Sequence, residues 1–324
     1  MKAVIYEKYG PVDVLQIEEV PTPEPAADEI LIKVRATAVT TADWRMRSLE
    51  MPGAMKILGR LMFGILGPKN KVLGTDVAGD VVKVGSSTTT FKVGDAVFGH
   101  IGKGGHAEFA VAKEKSAILP KPEALTYEKA AALPFGALCA LVFLRDFAKV
   151  KEGHHILIIG ASGNVGVYAV QIAKALGARV TAVASTPNAD LVERLGADEF
   201  VDYKTTDLAF LSQKFDVIFD TFGSLSFKET QKILTDEGLF LPLNFSLGEA
   251  FVNLLTGWTR KKKMMTGVNG DRREDLSELV GLIQCGKLKP VVDKAYELED
   301  IRSAHQHVEG RNRKGSVVVQ INGT

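Results

Sequence analysis

The chain has 324 residues, enough for about two domains and a large buried core. Apolar residues make up 46% and charged residues 24%, which are ordinary globular values and exclude disorder. The 40 basic and 39 acidic side chains give a net charge of +1, so no global field attracts nucleic acid or an anionic membrane, and a small molecule is the expected partner.

Residues 1–122 are predicted to be rich in strands and turns. Apolar residues recur at every second position over residues 30–36, which is the period of a half-buried strand. Further strands are expected at residues 77–84, 96–101 and 106–112. Such a segment suits a small barrel or a curled sheet. Residues 51–71 break the pattern with several methionines, glycines and a proline, so we expect a mobile excursion that covers a site.

A glycine turn between a strand and a helix is the strongest local signal. Four aliphatic residues at 156–159 predict a strand covered on both faces, and an apolar stripe with helical period begins at Val165. Glycines at 160, 163 and 166 form a turn whose free amides and helix dipole favour an anion such as pyrophosphate. The spacing is not the commonest one, and a turn that only packs a helix on a sheet is the alternative. A second strand at residues 178–184 completes a β-α-β unit and favours dinucleotide binding.

Helices and strands alternate after residue 122. Helices are expected at residues 127–133, 137–149, 190–195, 227–234, 276–283 and 301–308, with Pro134 to Gly136 breaking the chain between the first two. Strands are expected at residues 199–202, 216–220, 239–243, 264–268, 291–292 and 316–321, the last as an edge strand. The alternation implies an α/β fold with a doubly wound parallel sheet. We expect residues 271–324 to return to the first domain, which divides the chain into residues 1–122 with 269–324, and residues 123–268.

Neither a secretory signal nor a membrane span is predicted. Charge appears within the first eight residues, too soon for a secretory signal, and the apolar stretches 130–144 and 156–173 contain proline, glycine or amide residues. The two cysteines, Cys139 and Cys285, lie far apart in the sequence. A reduced, cytosolic protein without disulfides is therefore expected.

Seven local patterns recur in order along the chain. They lie at residues 74–79 (GTDVAG), 91–99 (FKVGDAVFG), 105–110 (GHAEFA), 131–134 (AALP), 160–166 (GASGNVG), 195–203 (LGADEFVDY), and 286–290 (GKLKP) with 314–317 (KGSV). Together they resemble the quinone oxidoreductase branch of the medium-chain dehydrogenase/reductases. A finer pattern, at residues 39–45 and 185–198, is most similar to the enone and oxo-lipid reductases related to chloroplast-envelope quinone oxidoreductase.

The resemblance implies a GroES-like β-barrel domain and a Rossmann domain, with substrate and nicotinamide meeting in the cleft between them. It also implies a homodimer. Three residues depart from the family pattern: Thr40 replaces a common asparagine near the nicotinamide, Cys139 replaces a threonine that often contacts it, and Pro187 replaces a basic residue that often serves the cofactor's extra phosphate.

NADPH is the predicted cofactor. NAD-specific folds place a carboxylate about 20 residues beyond the glycine turn, and here that position falls near Ser185, in a segment that contains hydroxyls and an amide but no acid. A 2′-phosphate is not repelled by that segment, Lys204 and Arg311 add positive charge, and Tyr203 flanks the adenosine phosphate. The predicted cofactor site comprises Gly160, Ser162, Gly163, Asn164, Val165, Gly166, Ser185, Thr186, Asn188, Tyr203, Thr221, Leu243 and Arg311.

No metal site is predicted. The resemblance places Thr75 and Asp76 in the turn that carries a histidine in zinc alcohol dehydrogenases, and two cysteines cannot form a four-cysteine lobe. His100 and His106 are interpreted as solvated turn residues, although they lie near enough in sequence to converge.

Thr40 and Asp43 are the candidates for a catalytic group, with a structural or solvated role as the alternative. The cofactor supplies hydride and solvent can protonate the resulting enolate, so a dedicated acid is optional. The predicted function is metal-independent, NADPH-dependent reduction of a quinone or an α,β-unsaturated carbonyl. A catalytically silent NADPH-binding protein and a metal-free alcohol or aldehyde oxidoreductase are the alternatives. Residues 51–71 and 245–258 are expected to shape the substrate pocket.

Overall fold

The structure, a computed structural model, describes residues 1–51, 55–245, 248, 261–268 and 270–321. The strands are β1 Lys2–Ile5, β2 Gln16–Glu19, β3 Glu29–Val39, β4 Asp76–Val84, β5 Ala96–His100, β6 Phe109–Lys113, β7 Ala117–Pro120, β8 His155–Ile159, β9 Arg179–Ala184, β10 Glu199–Asp202, β11 Phe215–Asp220, β12 Leu234–Pro242, β13 Lys263–Met264, β14 Val292–Glu297 and β15 Ser316–Gln320. The α-helices are α1 Thr41–Ser48, α2 Met55–Phe63, α3 Tyr127–Ala131, α4 Pro134–Leu141, α5 Asn164–Ala175, α6 Ala189–Arg194, α7 Phe227–Thr230, α8 Arg273–Gln284 and α9 Ile301–Glu309.

The first sheet is built around the long strand β3. Its order is β14-β15-β3-β4-β5-β7, and β6 also pairs with β3. Two register shifts let β3 bend, so that one edge pairs with β4 while the other edge pairs first with β6 and then with β15. The core of this unit lies between the sheet and α9 and contains the buried side chains of Ile30, Ile32 and Val317.

The second sheet is parallel throughout, with the order β10-β9-β8-β11-β12-β13. Its core strand β8 is buried on both faces from Ile156 to Ile159, as its unbroken aliphatic run predicts. Helix α5 packs its buried face against α4 and the sheet. The predicted α/β fold with a doubly wound parallel sheet is confirmed.

Several predicted boundaries are wrong for identifiable reasons. Residues 51–71, predicted as a mobile excursion without an assigned helix, contain the helix α2. Pro134 begins helix α4 instead of breaking a helix, because proline is tolerated at the first helical position, where the amide has no partner. That helix continues as a π-helical segment, Val142–Phe147. The predicted helix at residues 227–234 is only the single turn α7, after which β12 begins at Leu234.

The final strand β15 lies inside the first sheet and is not the predicted edge strand. It pairs with β14 on one side and with β3 on the other, and the residues from Ser316 to Val319 are all buried. Three consecutive valines fit a strand that is covered on both faces. The prediction that the last segment returns to the first domain agrees with this pairing, whereas the numerical domain limits stay a prediction. Residues 52–54, and most of residues 245–258, lie outside the described residues, so their predicted effect on the pocket stays a prediction too.

One stretch, Tyr127–Phe147, is long and apolar enough to span a membrane by length and composition. Its most apolar window is 78% buried inside the protein, where α3, α4 and the π-helical segment pack in the core. This burial is what the core helix of a globular domain shows, so the stretch is weak support for a membrane span.

Candidate functional site

The predicted glycine turn joins the end of β8 to the start of α5. Gly160 has a φ of 76°, a left-handed conformation that favours glycine. A side chain at Gly166 would place its Cβ 2.1 Å from the Gly160 carbonyl oxygen, so only glycine allows the helix to approach the strand this closely. Gly163 is the N-cap of α5 and provides no capping side chain, which leaves the first amides of the helix available to an anion.

The C-terminal segment crosses the glycine turn. The Gly315 amide donates to the Ser162 carbonyl over 2.8 Å, and Gly163 and Gly315 form an isolated parallel bridge. The Ser316 hydroxyl lies 2.7 Å from both the Ala132 carbonyl and Asn164 Oδ1. The buried amide of Asn164 therefore anchors the last strand of one sheet to the first helix of the other.

Polar groups after β9 form a second part of the site. Asn188 Nδ2 donates to Ser162 Oγ over 3.1 Å and to Ser185 Oγ over 3.2 Å, which links this segment to the glycine turn. Thr186 points elsewhere, because both its amide and its hydroxyl donate to Asp202 at the end of β10. An acid thus stands close to this segment in space although none occurs within it.

A cavity of about 610 Å³ opens at the carboxyl edge of the parallel sheet. The loops after β8, β9, β10, β11 and β12 all contribute to its walls, which is where open parallel sheets bind their ligands. The predicted cofactor residues that line it are Gly160, Ser162, Gly163, Asn164, Val165, Ser185, Asn188, Tyr203, Thr221, Leu243 and Arg311. Gly166 and Thr186 do not line it: the first packs the helix against the strand, and the second is held by Asp202.

The described lining of this cavity is strongly cationic. It contains Arg45, Lys204, Arg311, Arg313 and Lys314, and no aspartate or glutamate stands among the described lining residues. Sequence reasoning identified two of these cations and missed the rest. The sequence contains a signal for them in the closely spaced Arg311 and Arg313, but Arg45 lies more than 260 residues away.

Arg311 and Arg313 are held in different ways. The guanidinium carbon of Arg311 lies 5.1 Å from the centre of the Trp44 ring and 5.2 Å from that of Phe222, so the cation is placed between two aromatic side chains. Arg313 is buried and donates to Thr41 Oγ1. Burial lowers the pKa of Arg313, the charge of Asp293 opposes this shift and that of Arg311 adds to it. The resulting pKa is about 10, so Arg313 stays charged at neutral pH.

A buried carboxylate organises the loop that presents Phe222. Asp220 is fully buried at the end of β11 and accepts four backbone amide hydrogen bonds. The donors are Phe222 at 2.9 Å, Gly223 at 2.7 Å, Ser224 at 2.7 Å and Leu225 at 3.1 Å. No sequence motif pointed to this role.

The two predicted catalytic candidates lie away from the cavity lining. The amide and hydroxyl of Thr40 donate to Asp43 Oδ2 over 2.8 and 2.6 Å, and the Asp43 amide donates back to Thr40 Oγ1, forming the capping box of α1. The other carboxylate oxygen of Asp43 accepts from the Gly74 amide over 2.9 Å. Both side chains are fully buried. Because their polar atoms are committed to the cap, neither group is placed to exchange a proton with a substrate, and the structural alternative describes them.

The interpretation of His100 and His106 as solvated turn residues is wrong. His106 is fully buried, and His100 Nδ1 lies 2.7 Å from Oδ1 of the buried Asp76. The other Asp76 oxygen accepts from the Phe135 amide over 2.7 Å. Burial lowers the pKa of His100, but the hydrogen bond and charge of Asp76 outweigh burial and raise this pKa to about 9. Asp76 and His100 therefore form an ion pair across the neighbouring strands β4 and β5 of the first sheet.

Comparisons with known proteins agree with this architecture. A family model described as "Alcohol dehydrogenase GroES-like domain" matches residues 26–123, and one described as "Zinc-binding dehydrogenase" matches residues 195–319. The solved structure of Escherichia coli quinone oxidoreductase complexed with NADPH has a TM-score of 0.82 and 26% identity, covering 99% of this chain and all of that one.

The chain is also similar in sequence to curated proteins over almost its whole length. It is 33% identical to "Chloroplast envelope quinone oxidoreductase homolog" from Arabidopsis thaliana, over 99% of this chain and 98% of the relative. It is 32% identical to "NADPH-dependent alkenal/one oxidoreductase, chloroplastic" from the same plant, over 98% and 79%. The chain therefore belongs to the quinone oxidoreductase branch of the medium-chain dehydrogenase/reductase superfamily. This result confirms the resemblance and the expected GroES-like and Rossmann domains.

The expectation of a cytosolic protein is contradicted by these comparisons. Similar proteins carry chloroplastic or mitochondrial designations in their names. The expectation rested on two cysteines, both of which are free, one buried and one exposed. Free thiols show that a fold does not depend on disulfides, and they do not distinguish one reducing compartment from another.

Among the described residues, no group of three or more histidine, cysteine, aspartate or glutamate side chains is arranged to hold a metal ion. Asp76 lies in the turn that, by the resemblance given above, carries a histidine in zinc alcohol dehydrogenases, and here it is paired with His100. Cys139 lines the cavity, and burial raises the pKa of its thiol to about 12, so it remains a neutral wall residue at physiological pH.

Proposed function

We propose that the protein is an NADPH-dependent reductase that transfers hydride to a quinone or to the β-carbon of an α,β-unsaturated carbonyl, without a metal ion. The observation that carries this proposal is the cavity at the carboxyl edge of the parallel sheet. A glycine turn and five cationic side chains line it, and its described lining contains no aspartate or glutamate. The relatives named quinone and alkenal/one oxidoreductases support the same chemistry.

The residues of the cavity fit the anionic groups of NADPH. The free amides of α5, with Arg313 and Lys314 beside the Gly315 bridge, suit the diphosphate. Ser185, Tyr203 and Lys204 line the part of the cavity beyond β9 and β10, where they suit the 2′-phosphate. When bound, the reduced cofactor supplies the hydride.

The remaining wall of the cavity suits an apolar acceptor. Phe135, Cys139 and Phe143 present apolar surface there and exclude water from a bound acceptor. Reduction of a simple carbonyl builds a localised alkoxide, whereas an enolate or hydroquinone spreads its charge and is held by ordinary hydrogen-bond donors. The residues in the turn that carries a zinc ligand in metal-dependent relatives are Thr75 and the ion-paired Asp76, which supports metal-free chemistry. Solvent supplies the proton that completes the reduction after hydride transfer, because Thr40 and Asp43 are committed to the helix cap.

Product analysis with deuterium-labelled NADPH and an enal tests the proposal. We expect label at the β-carbon of a saturated aldehyde, and turnover that is unchanged by prolonged chelation. Label at the carbonyl-derived carbon of an allylic alcohol would instead indicate an alcohol or aldehyde oxidoreductase. Tight NADPH binding without turnover of a quinone, an enone, an enal or an aldehyde would indicate a catalytically silent protein. Stoichiometric zinc in the active protein would refute metal independence.

We also propose that the protein is a homodimer. We propose in addition that each chain has two domains, one of residues 1–122 with 269–324 and one of residues 123–268. Light scattering on a size-exclusion column tests the first, with a monomer mass of 35.0 kDa as the contrary result. Limited proteolysis tests the second, with cleavage expected near residues 122 and 268, where the chain passes from one domain to the other.

A further inference from the structure

Helix α2 and the turn that follows it expose an apolar surface to water. Six of the thirteen large apolar side chains that are exposed in the described part of the chain lie in this one short segment, and together they are called the α2 patch: Ile57, Leu58, Leu61, Met62, Ile65 and Leu66. Pairs of them four residues apart share a face of the helix. An apolar surface that is gathered in one place, and not scattered, marks a site where a membrane or a partner binds.

The opposite face of α2 holds the helix on the protein. Gly59 is buried, and a side chain there would place its Cβ 2.7 Å from the Met51 sulfur, so glycine lets the helix lie close to the segment after α1. The Tyr9 hydroxyl donates to the Gly64 carbonyl over 2.9 Å, just beyond the end of the helix. The α2 patch is therefore turned outwards by a helix that is anchored on its other side.

The charged residues around the patch are all basic. Residues 51–75 contain no aspartate or glutamate, and their charged side chains are Lys56, Arg60, Lys69 and Lys71. Lys71 is paired with Glu7, whereas Lys56 and Arg60 are exposed and form no salt bridge with a described carboxylate. With 3.6 residues in each turn of a helix, Lys56 and Arg60 lie on the border between the buried face of α2 and the apolar face. The net charge of the whole chain is only +1, so this excess of positive charge is local.

We propose that the α2 patch docks the protein on the surface of a membrane that contains anionic lipids. The apolar side chains enter the boundary between headgroups and acyl chains, while Lys56 and Arg60 reach the lipid phosphates at the edge of the patch. A bilayer needs no complementary shape, which suits side chains that project from a convex helix. A second copy of the chain is a poorer occupant, because a two-fold contact between two α2 patches would bring the same unpaired cations together. The inference concerns a surface and is independent of the proposed reaction.

The test measures how much of the full-length protein sediments with vesicles of phosphatidylcholine, with and without phosphatidylglycerol. We expect the partition coefficient to be at least about ten-fold higher for the anionic vesicles, and this difference to shrink at high salt, because salt screens the attraction of each basic residue. Ile57→Ser combined with Leu61→Ser should lower binding to anionic vesicles by at least about ten-fold, since less apolar area enters the bilayer. Arg60→Gln should lower the same binding by about five-fold.

Matched controls come from an exposed site with the same pair of residue types. Val93 is 60% exposed, compared with 56% for Leu61, and Lys92 precedes it as Arg60 precedes Leu61. Val93→Ser and Lys92→Gln should leave vesicle binding within about two-fold of the unmodified protein, because a single exposed residue outside the patch contributes little. All of the substituted positions are exposed, so circular dichroism should show little change in the melting temperature of any variant.

Three results would overturn the proposal. One is equal binding, or no binding, to anionic and neutral vesicles. Another is full binding to anionic vesicles by the variant with serine in place of Ile57 and Leu61, which would put the contact elsewhere on the protein. The third comes from light scattering without lipid: loss of self-association in that variant would assign the α2 patch to a second copy of the chain.

Discussion

The buried carboxylate of Asp220 should be worth several kcal/mol to the fold. Each of its oxygens accepts two backbone amides, and the side chain is fully buried, so water cannot replace the lost partners. Asp220→Asn keeps the size and one oxygen but turns an NH2 group towards two amide donors. Hydrogen bonds to a charged group contribute about 1.5–3 kcal/mol each, so losing two should lower the free energy of unfolding by about 3–6 kcal/mol.

Urea unfolding followed by circular dichroism measures this loss. Asp236→Asn, at an exposed position on β12, is the control and should change the free energy of unfolding by less than about 0.5 kcal/mol. Because the same amides place Phe222 against Arg311, Asp220→Asn should also weaken NADPH binding. A loss of stability below about 1 kcal/mol in Asp220→Asn would refute the reasoning, since the loop would then hold its shape without the carboxylate.

Three further predictions use other parts of the molecule. Asp76 raises the pKa of His100 to about 9, so the stabilisation from their pairing declines as pH rises from the ordinary histidine pKa near 6.5 through 9. Burial raises the pKa of Asp76, so the pair also requires a pH at which that carboxyl is ionised. Urea unfolding at several pH values should show the decline above pH 6.5, and His100→Gln should remove it, whereas equal pH dependence in both proteins would contradict the ion pair. Gly166→Ala places a methyl 2.1 Å from the Gly160 carbonyl oxygen and should lower the melting temperature by several degrees. Gly163→Ala, whose methyl would lie 3.3 Å from the same oxygen, is the control and should change the melting temperature little. Equal shifts in the two variants would show that the close approach at Gly166 is not required. Ser185→Asp puts a carboxylate beside the expected 2′-phosphate and should lower the ratio of kcat/KM for NADPH over NADH by about ten-fold or more, and an unchanged ratio would place the phosphate elsewhere.

Local patterns were enough to predict the central β-α-β unit. The aliphatic run of β8, the glycine spacing and the helical stripe of α5 depend on residues within about 25 positions of one another, and the structure reproduces each element. The prediction failed at Pro134, where the position of the proline in the helix mattered more than its general tendency to break helices. Pro134 looked like a helix breaker because proline lacks an amide hydrogen, yet at the first helical position that absence has no cost.

The cationic wall of the cavity could not be predicted in the same way. Arg45 and Arg313 line the same cavity because β15 lies beside β3, a pairing that periodicity does not reveal. Thr40 and Asp43, the candidates for a catalytic group, form a helix cap, which is the structural alternative given for them. A capping box has its own sequence signature, a threonine followed three residues later by an acid, and this signal was present.

The return of β15 to the first sheet determines when the site can be built during synthesis. A ribosome that has released β8 through β13 has supplied the glycine turn, but not Arg311, Arg313 or the Gly315 bridge that closes over it. Domains generally fold as they emerge, so the parallel sheet is expected to be complete while its cofactor cleft still lacks one wall. The nascent protein would therefore gain its affinity for NADPH late, when the C-terminal segment docks, and a chain cut short before residue 311 would contain a folded sheet with a weak site.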